Sequence, residues 1–158
     1  MKINGVVQRK LTLLDQRVIR LEQELTDVER QQFVDDWCMR SMTERELQVS
    51  IEIVIDIAER IIAIMNAGPT ATAGDAIRRL VDLHVIKSHE PYVDMVRFRN
   101  MIVHQYEEID PNILYVLATK KLAYFRRFRD EVDLFVSSDC EIEIDTLRDK
   151  SDGREVSL

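Results

Sequence analysis

Glu46-Leu47-Gln48-Val49-Ser50-Ile51-Glu52-Ile53-Val54-Ile55-Asp56-Ile57-Ala58 is the stretch that decides the fold. Read in steps of three and four, Leu47, Ile51, Val54, Ala58, Ile61 and Met65 fall on one side of a helix, and Val49, Ile53, Ile57 and Ile64 fall on the others. A helix that is apolar nearly all round belongs in the middle of a bundle. Thr43 with Glu46 three residues later has the spacing of a capping box, so the helix is predicted from about Glu44 to Asn66, and Gly68-Pro69 ends it. Upstream, Val7, Leu11, Leu14, Val18, Leu21, Leu25 and Val28 alternate steps of four and three, a narrow apolar stripe for packing inside the monomer or across a dimer. Phe33 and Trp37 share a face and predict a short helix running to about Arg40, with Ser41-Met42-Thr43-Glu44 as the break after it.

Downstream, Thr70 to Gly74 reads as a loop, Asp75 to about Val85 as a short helix, and Ser88 as the N-cap of a helix from Glu90 to about His104. Asp110-Pro111 then caps a last long helix to about Val136, with Ile113, Val116, Leu117, Phe128 and Val132 as its core positions. Four Gly and three Pro leave few interruptions in 158 residues, and 46% hydrophobic content suffices for one all-α core. The loop between Gly68 and Gly74 is no phosphate-binding loop, because Asp75 stands where Lys is needed and no strand precedes it. Domain limits of 1–137 for the bundle and 138–158 for a polar, acidic tail follow; in the tail, Cys140-Glu141-Ile142-Glu143-Ile144-Asp145 alternates as a strand would.

Composition narrows the class further. Cys38 and Cys140 form no Cys-x-x-Cys unit, and His84, His89 and His104 stand at no recognised ligand spacing, so the expectation is no metal and no cofactor. The start of the chain lacks a signal peptide's apolar stretch, and no run approaches a membrane span, so a soluble protein in a reducing cytoplasm is expected. The formal charge of −7 argues against a nucleic-acid partner until its distribution is read: Asp139 to Leu158 holds seven acids against three bases, more than half of the imbalance. Lys120, Lys121, Arg126, Arg127 and Arg129 make the last helix locally basic, with Arg97 and Arg99 nearby in sequence. A local field of that kind steers RNA phosphates, although a solvated helix face reads the same way.

The residues that carry chemistry are Arg99-Asn100-Met101-Ile102-Val103-His104-Gln105-Tyr106. A guanidinium is a permanent two-pronged donor to phosphate, and imidazole titrates nearest neutrality. Asn100 and His104, four apart, share a helix face, and Glu107 to Pro111 reads as the loop that ends the helix there. By itself the trio also fits a capped helix end with a surface His. Glu52 and Asp56, one turn apart among Ile and Val, need a cation, a polar pocket or solvent, and Asp56 is a candidate to orient Arg99.

From Glu44 to Pro111 the chain resembles the HEPN-domain family of the HepT type, on Arg99-Asn100-x-x-Val103-His104-x-Tyr106, on Ile109-Asp110-Pro111 and on the Glu46–Ala58 run. The resemblance implies an all-α HEPN-type bundle of about five to six helices. It implies the toxin component of a type II/VII-like toxin–antitoxin system, a metal-independent endoribonuclease working as a homodimer on RNA. The implied partner is a minimal nucleotidyltransferase antitoxin of the MntA type, which silences the toxin by placing AMP on Tyr106. Under that reading His104, Arg99 and Asn100 are catalytic and Asp56 and Glu52 support them. The alternative function is a non-catalytic helical binding partner of a nucleotidyltransferase, or a purely structural helical dimer.

Overall fold

The computed structural model describes residues 2–104 and 108–138, and among them the chain forms seven helices and no strand. These are α1 (Lys2–Leu25), α2 (Arg30–Asp35), α3 (Trp37–Ile64), α4 (Ala73–Asp82), α5 (Tyr92–His104), α6 (Pro111–Lys120) and α7 (123–138). The HEPN-type all-α bundle expected from sequence is therefore present, with one helix more than the upper estimate. The alternating segment 140–145 and the rest of the tail lie outside the described residues.

α3 is the axis of the bundle and packs against α1, α2, α4, α5 and α6. Ile51, Val54, Ile57, Ala58 and Ile61 are all buried, as its apolar circumference requires. Every member of the α1 stripe from Val7 to Leu25 is buried too, so within the single chain the stripe is core. Phe33 of α2 is fully buried with its ring 5.4 Å from that of Tyr115 on α6, and the Tyr115 hydroxyl donates to the Val28 carbonyl at 2.8 Å.

Two helix boundaries depart from the sequence expectation. The break falls at Asp36, not at residues 41–44, and α3 then runs 28 residues without interruption. Asp36 leaves the helical region (φ −100°, ψ 98°) and its carboxylate accepts from the Met39 N–H at 3.0 Å, which makes it the N-cap. Thr43 sits fully buried inside the helix, so its spacing to Glu46 is not a cap. Trp37 starts a new helix instead of continuing with Phe33, and stands 64% exposed. The second departure is at Lys121, where the predicted last helix divides into α6 and α7. The break shifts the inward face. Leu114 and Ala118 are buried on α6 whereas Ile113 is 54% exposed, and Val116 and Leu117 are half-buried; on α7, Phe128 and Val132 are core as expected.

α7 is fastened to α1 by charge as well as packing. Arg129 Nε donates to Asp15 at 2.9 Å, Arg126 pairs with Glu22, and Gln8 donates to Asp133 at 2.7 Å. α1 is joined to α3 by Arg17, whose Nη1 reaches both oxygens of Glu46 at 3.0 Å.

The start of the motif helix is anchored on α7. Tyr92 is fully buried, its ring edge-on to Phe128 at 5.3 Å, and its hydroxyl donates to Glu131 Oε2 at 3.3 Å. Burial first, and then the Glu131 charge, push the Tyr92 hydroxyl well above its ordinary value of 10.0, against the opposing pull of Arg127. A raised folded-state pKa means that the neutral phenol is favoured by folding. Its contribution is complete below the unfolded value and is lost as pH rises above about 10 towards the folded value. Urea unfolding of the wild type is therefore expected to weaken above about pH 10, and Tyr92→Phe to weaken less steeply over that window. Identical pH profiles for the two proteins would show that Tyr92 ionisation does not couple to folding.

Candidate functional site

α5 enters the core at Tyr92, Val93 and Val96, and beyond Val96 no residue of the helix is buried. Its last two turns are thus only partly covered by the bundle, and these turns carry the candidate residues. Arg99 is half-buried, Asn100 is exposed, and His104 is exposed as the final helical residue. The described part of the helix reaches His104, and α6 begins close by: Asp110 accepts from the Asn112 N–H at 2.9 Å and Pro111 follows as the first helical residue. Asn100 and His104 share one face by their four-residue spacing, and Arg99 lies about 140° round the helix from His104.

The Arg99 Nε is buried and has no hydrogen-bond partner among the described residues. A desolvated and unsatisfied guanidinium nitrogen is costly. Arg99 as a whole is only half-buried, and a guanidinium's outer nitrogens are donors of the kind a phosphate oxyanion accepts from. Met101 and Val103, 44% and 48% exposed, flank the polar groups with apolar surface. Tyr106 lies outside the described residues.

The two acids of α3 stand elsewhere. Asp56 is exposed and pairs with Lys10 of α1 at 3.4 Å, and Glu52 accepts from Gln48 Nε2 on its own helix at 3.0 Å. Among the described residues neither is joined to Arg99. The basic character expected of the last helix is also reduced, since Arg126 and Arg129 are committed to Glu22 and Asp15. Lys121 and Arg127 lie over the rings of Tyr124 and Tyr92, at 5.5 and 5.8 Å. Sequence reasoning missed a cavity of about 250 Å³ beside α5, lined by Met95, Phe98, Leu117 and Tyr124 among others. With Leu47 and Ile51 of α3, its walls come from four separate helices, and no local pattern marks them. Among the described residues no group of three or more His, Cys, Asp or Glu is placed to hold a metal ion, and no helix is long and apolar enough to cross a membrane.

Fold and site together define a small helical bundle with Arg99, Asn100 and His104 on the last turns of α5. Residues 14–132 match the ribonuclease HepT-like family, and the chain belongs to it. It is 26% identical over 134 residues to the mRNA nuclease HepT of Shewanella oneidensis, spanning 82% of this chain and 98% of that protein. The tRNA nuclease HepT of Aphanizomenon flos-aquae is 20% identical over 133 residues, 83% of this chain and 90% of that one. Among solved structures, a tri-AMPylated S. oneidensis HEPN toxin in complex with an MNT antitoxin superposes with a TM-score of 0.76 at 25% identity, over 83% of this chain and 98% of that one. A toxin–antitoxin crystal structure with AMP-PNP gives the same TM-score at 24% identity, over 83% and 99%, and agrees in fold.

Proposed function

We propose that this chain is an endoribonuclease, the toxin of a toxin–antitoxin pair, and that it cuts RNA through Arg99, Asn100 and His104 without a metal. The observation that carries the reading is that the last turns of α5 hold both Arg99, whose Nε has no hydrogen-bond partner among the described residues, and the exposed His104. In the reaction a ribose 2′-hydroxyl attacks the adjacent phosphorus in line. Its proton passes to a neutral imidazole, the bond to the 5′-oxygen breaks, and that oxygen takes a proton as it leaves. The products are a cyclic phosphate and a 5′-hydroxyl. Arg99 stabilises the charge that builds on the phosphoryl oxygens, and Asn100 positions the phosphate or the ring.

One imidazole does not readily serve as base and acid in the same displacement. The second is His104 of the partner subunit, across a cleft formed by two copies. Met101 and Val103, exposed apolar residues within the motif, support self-association there. Mixed RNA incubated with the protein in excess chelator is expected to be cleaved. No cleavage would leave the chain a helical binding partner only. Sedimentation at micromolar concentration is expected to give a dimer, and a fully active monomer would remove the shared cleft.

The protein's control follows from the same site. A nucleotidyltransferase antitoxin places AMP on Tyr106, two residues beyond His104, and the added phosphate occupies the donors meant for RNA.

A further inference from the structure

We propose that the cavity beside α5 is a subsite for one base of the RNA strand, next to the phosphate that is cut; this rests on the ribonuclease reading. At about 250 Å³ it is smaller than the pockets that take whole drug-sized ligands, and it holds one planar ring system. Met95, Phe98, Leu117 and Tyr124 are half-buried, so each keeps an open apolar or aromatic face. Such faces take any nucleobase by stacking.

The rim identifies the ligand further. Lys121 and Asp94, both exposed, stand at the mouth of the cavity. The Lys121 Nζ is held over the Tyr124 ring at 5.5 Å, where it meets the phosphate attached to a stacked base. Asp94, paired with Arg97 at 3.0 Å, retains an oxygen for the amino or imino hydrogen of a base edge. A purely apolar occupant would use neither charge. A nucleotide uses both.

Position ties the cavity to the chemistry. Asp94, Met95 and Phe98 lie on one face of α5, and Phe98 precedes His104 by six residues, about 9 Å along the helix at its rise of 1.5 Å per residue and about 120° round it. A single strand that curves round α5 from a reacting phosphate at His104 reaches the cavity with a neighbouring nucleotide. The break between α6 and α7 falls at the cavity, since Lys121, the C-cap of α6, and Tyr124 both line it.

The test uses His104→Ala protein, which binds RNA without cutting it, labelled with ¹³C-methyl methionine and titrated with short single-stranded RNA. The Met95 methyl signal, assigned through Met95→Leu, is expected to move while that of Met65 does not. In the active protein, Tyr124→Leu is expected to raise KM about tenfold with kcat nearly unchanged. Lys121→Gln, at an exposed position that folding does not depend on, is expected to raise KM in the same direction, and Asp94→Asn to change which bases flank the cut. A Met95 signal unmoved by RNA that anisotropy shows to be bound would overturn the proposal. So would unchanged KM and base preference in both the Tyr124 and Lys121 variants. A Met95 signal that moves with protein concentration alone assigns the face to a second copy instead, and also overturns it. Wild-type protein that shifts Met95 on RNA addition but cleaves nothing would sink the catalytic reading while leaving the subsite standing.

Discussion

Replacement of His104 by alanine is expected to lower RNA cleavage by about 10²–10⁴-fold, the usual contribution of a positioned proton donor or acceptor. In a dimer that relies on one imidazole from each copy, the substitution removes both base and acid, and the upper end of that range is expected. Stability should hardly change. His104 is exposed at the last residue of α5, beyond the last buried position at Val96, and a surface substitution of this kind costs within about 0.5 kcal/mol. Thermal melts followed by circular dichroism, run beside the cleavage assay, separate the two effects. Full cleavage by the variant would end the mechanism. A melt lowered by several degrees together with lost activity would return the residue to a packing role.

The second large effect concerns silencing. Incubated with ATP and its cognate nucleotidyltransferase, the protein is expected to gain the mass of AMP on Tyr106 and to lose cleavage activity. Each AMP brings roughly one negative charge from its phosphodiester to the site where the RNA phosphate must sit, so it blocks the donors and repels the substrate together. Arg99, half-buried on the last turns of α5, is the donor to which that phosphate is expected to be drawn. Intact-mass measurement of wild type and Tyr106→Phe decides the matter. A phenylalanine variant that takes up AMP to the same extent, or that is silenced by enzyme turnover as completely as wild type, would show that Tyr106 is not the switch.

The parts of this protein that the amino-acid order determines by itself are those written within a few residues of one another. The alternating steps from Val7 to Leu25 and the all-round apolar run of α3 mark the two most buried helices, because side-chain spacing on a helix follows from its geometry alone. Asp110-Pro111 marks the start of α6 and so the end of the motif helix near His104, because capping is a bond between a side chain and the backbone two or three residues on. Arg99, Asn100 and His104 were legible as a group for the same reason, and the resemblance they carry agrees with the family to which the chain belongs.

Competing local signals were not separable. Asp36 and Thr43 both have capping chemistry, and Asp36 prevails where Phe33 turns inward against Tyr115 while Thr43 is buried. Lys121 breaks the last helix with no Gly or Pro to announce it. Only the tertiary structure decided which charges meet: Asp56 goes to Lys10, 46 residues away, and Arg129 to Asp15, 114 residues away. The cavity beside Phe98 and the unsatisfied Arg99 Nε belong to the same kind. Burial and ion pairing depend on what the folded chain brings within a few ångströms, and sequence separation carries almost no information about that distance once the chain has turned back on itself.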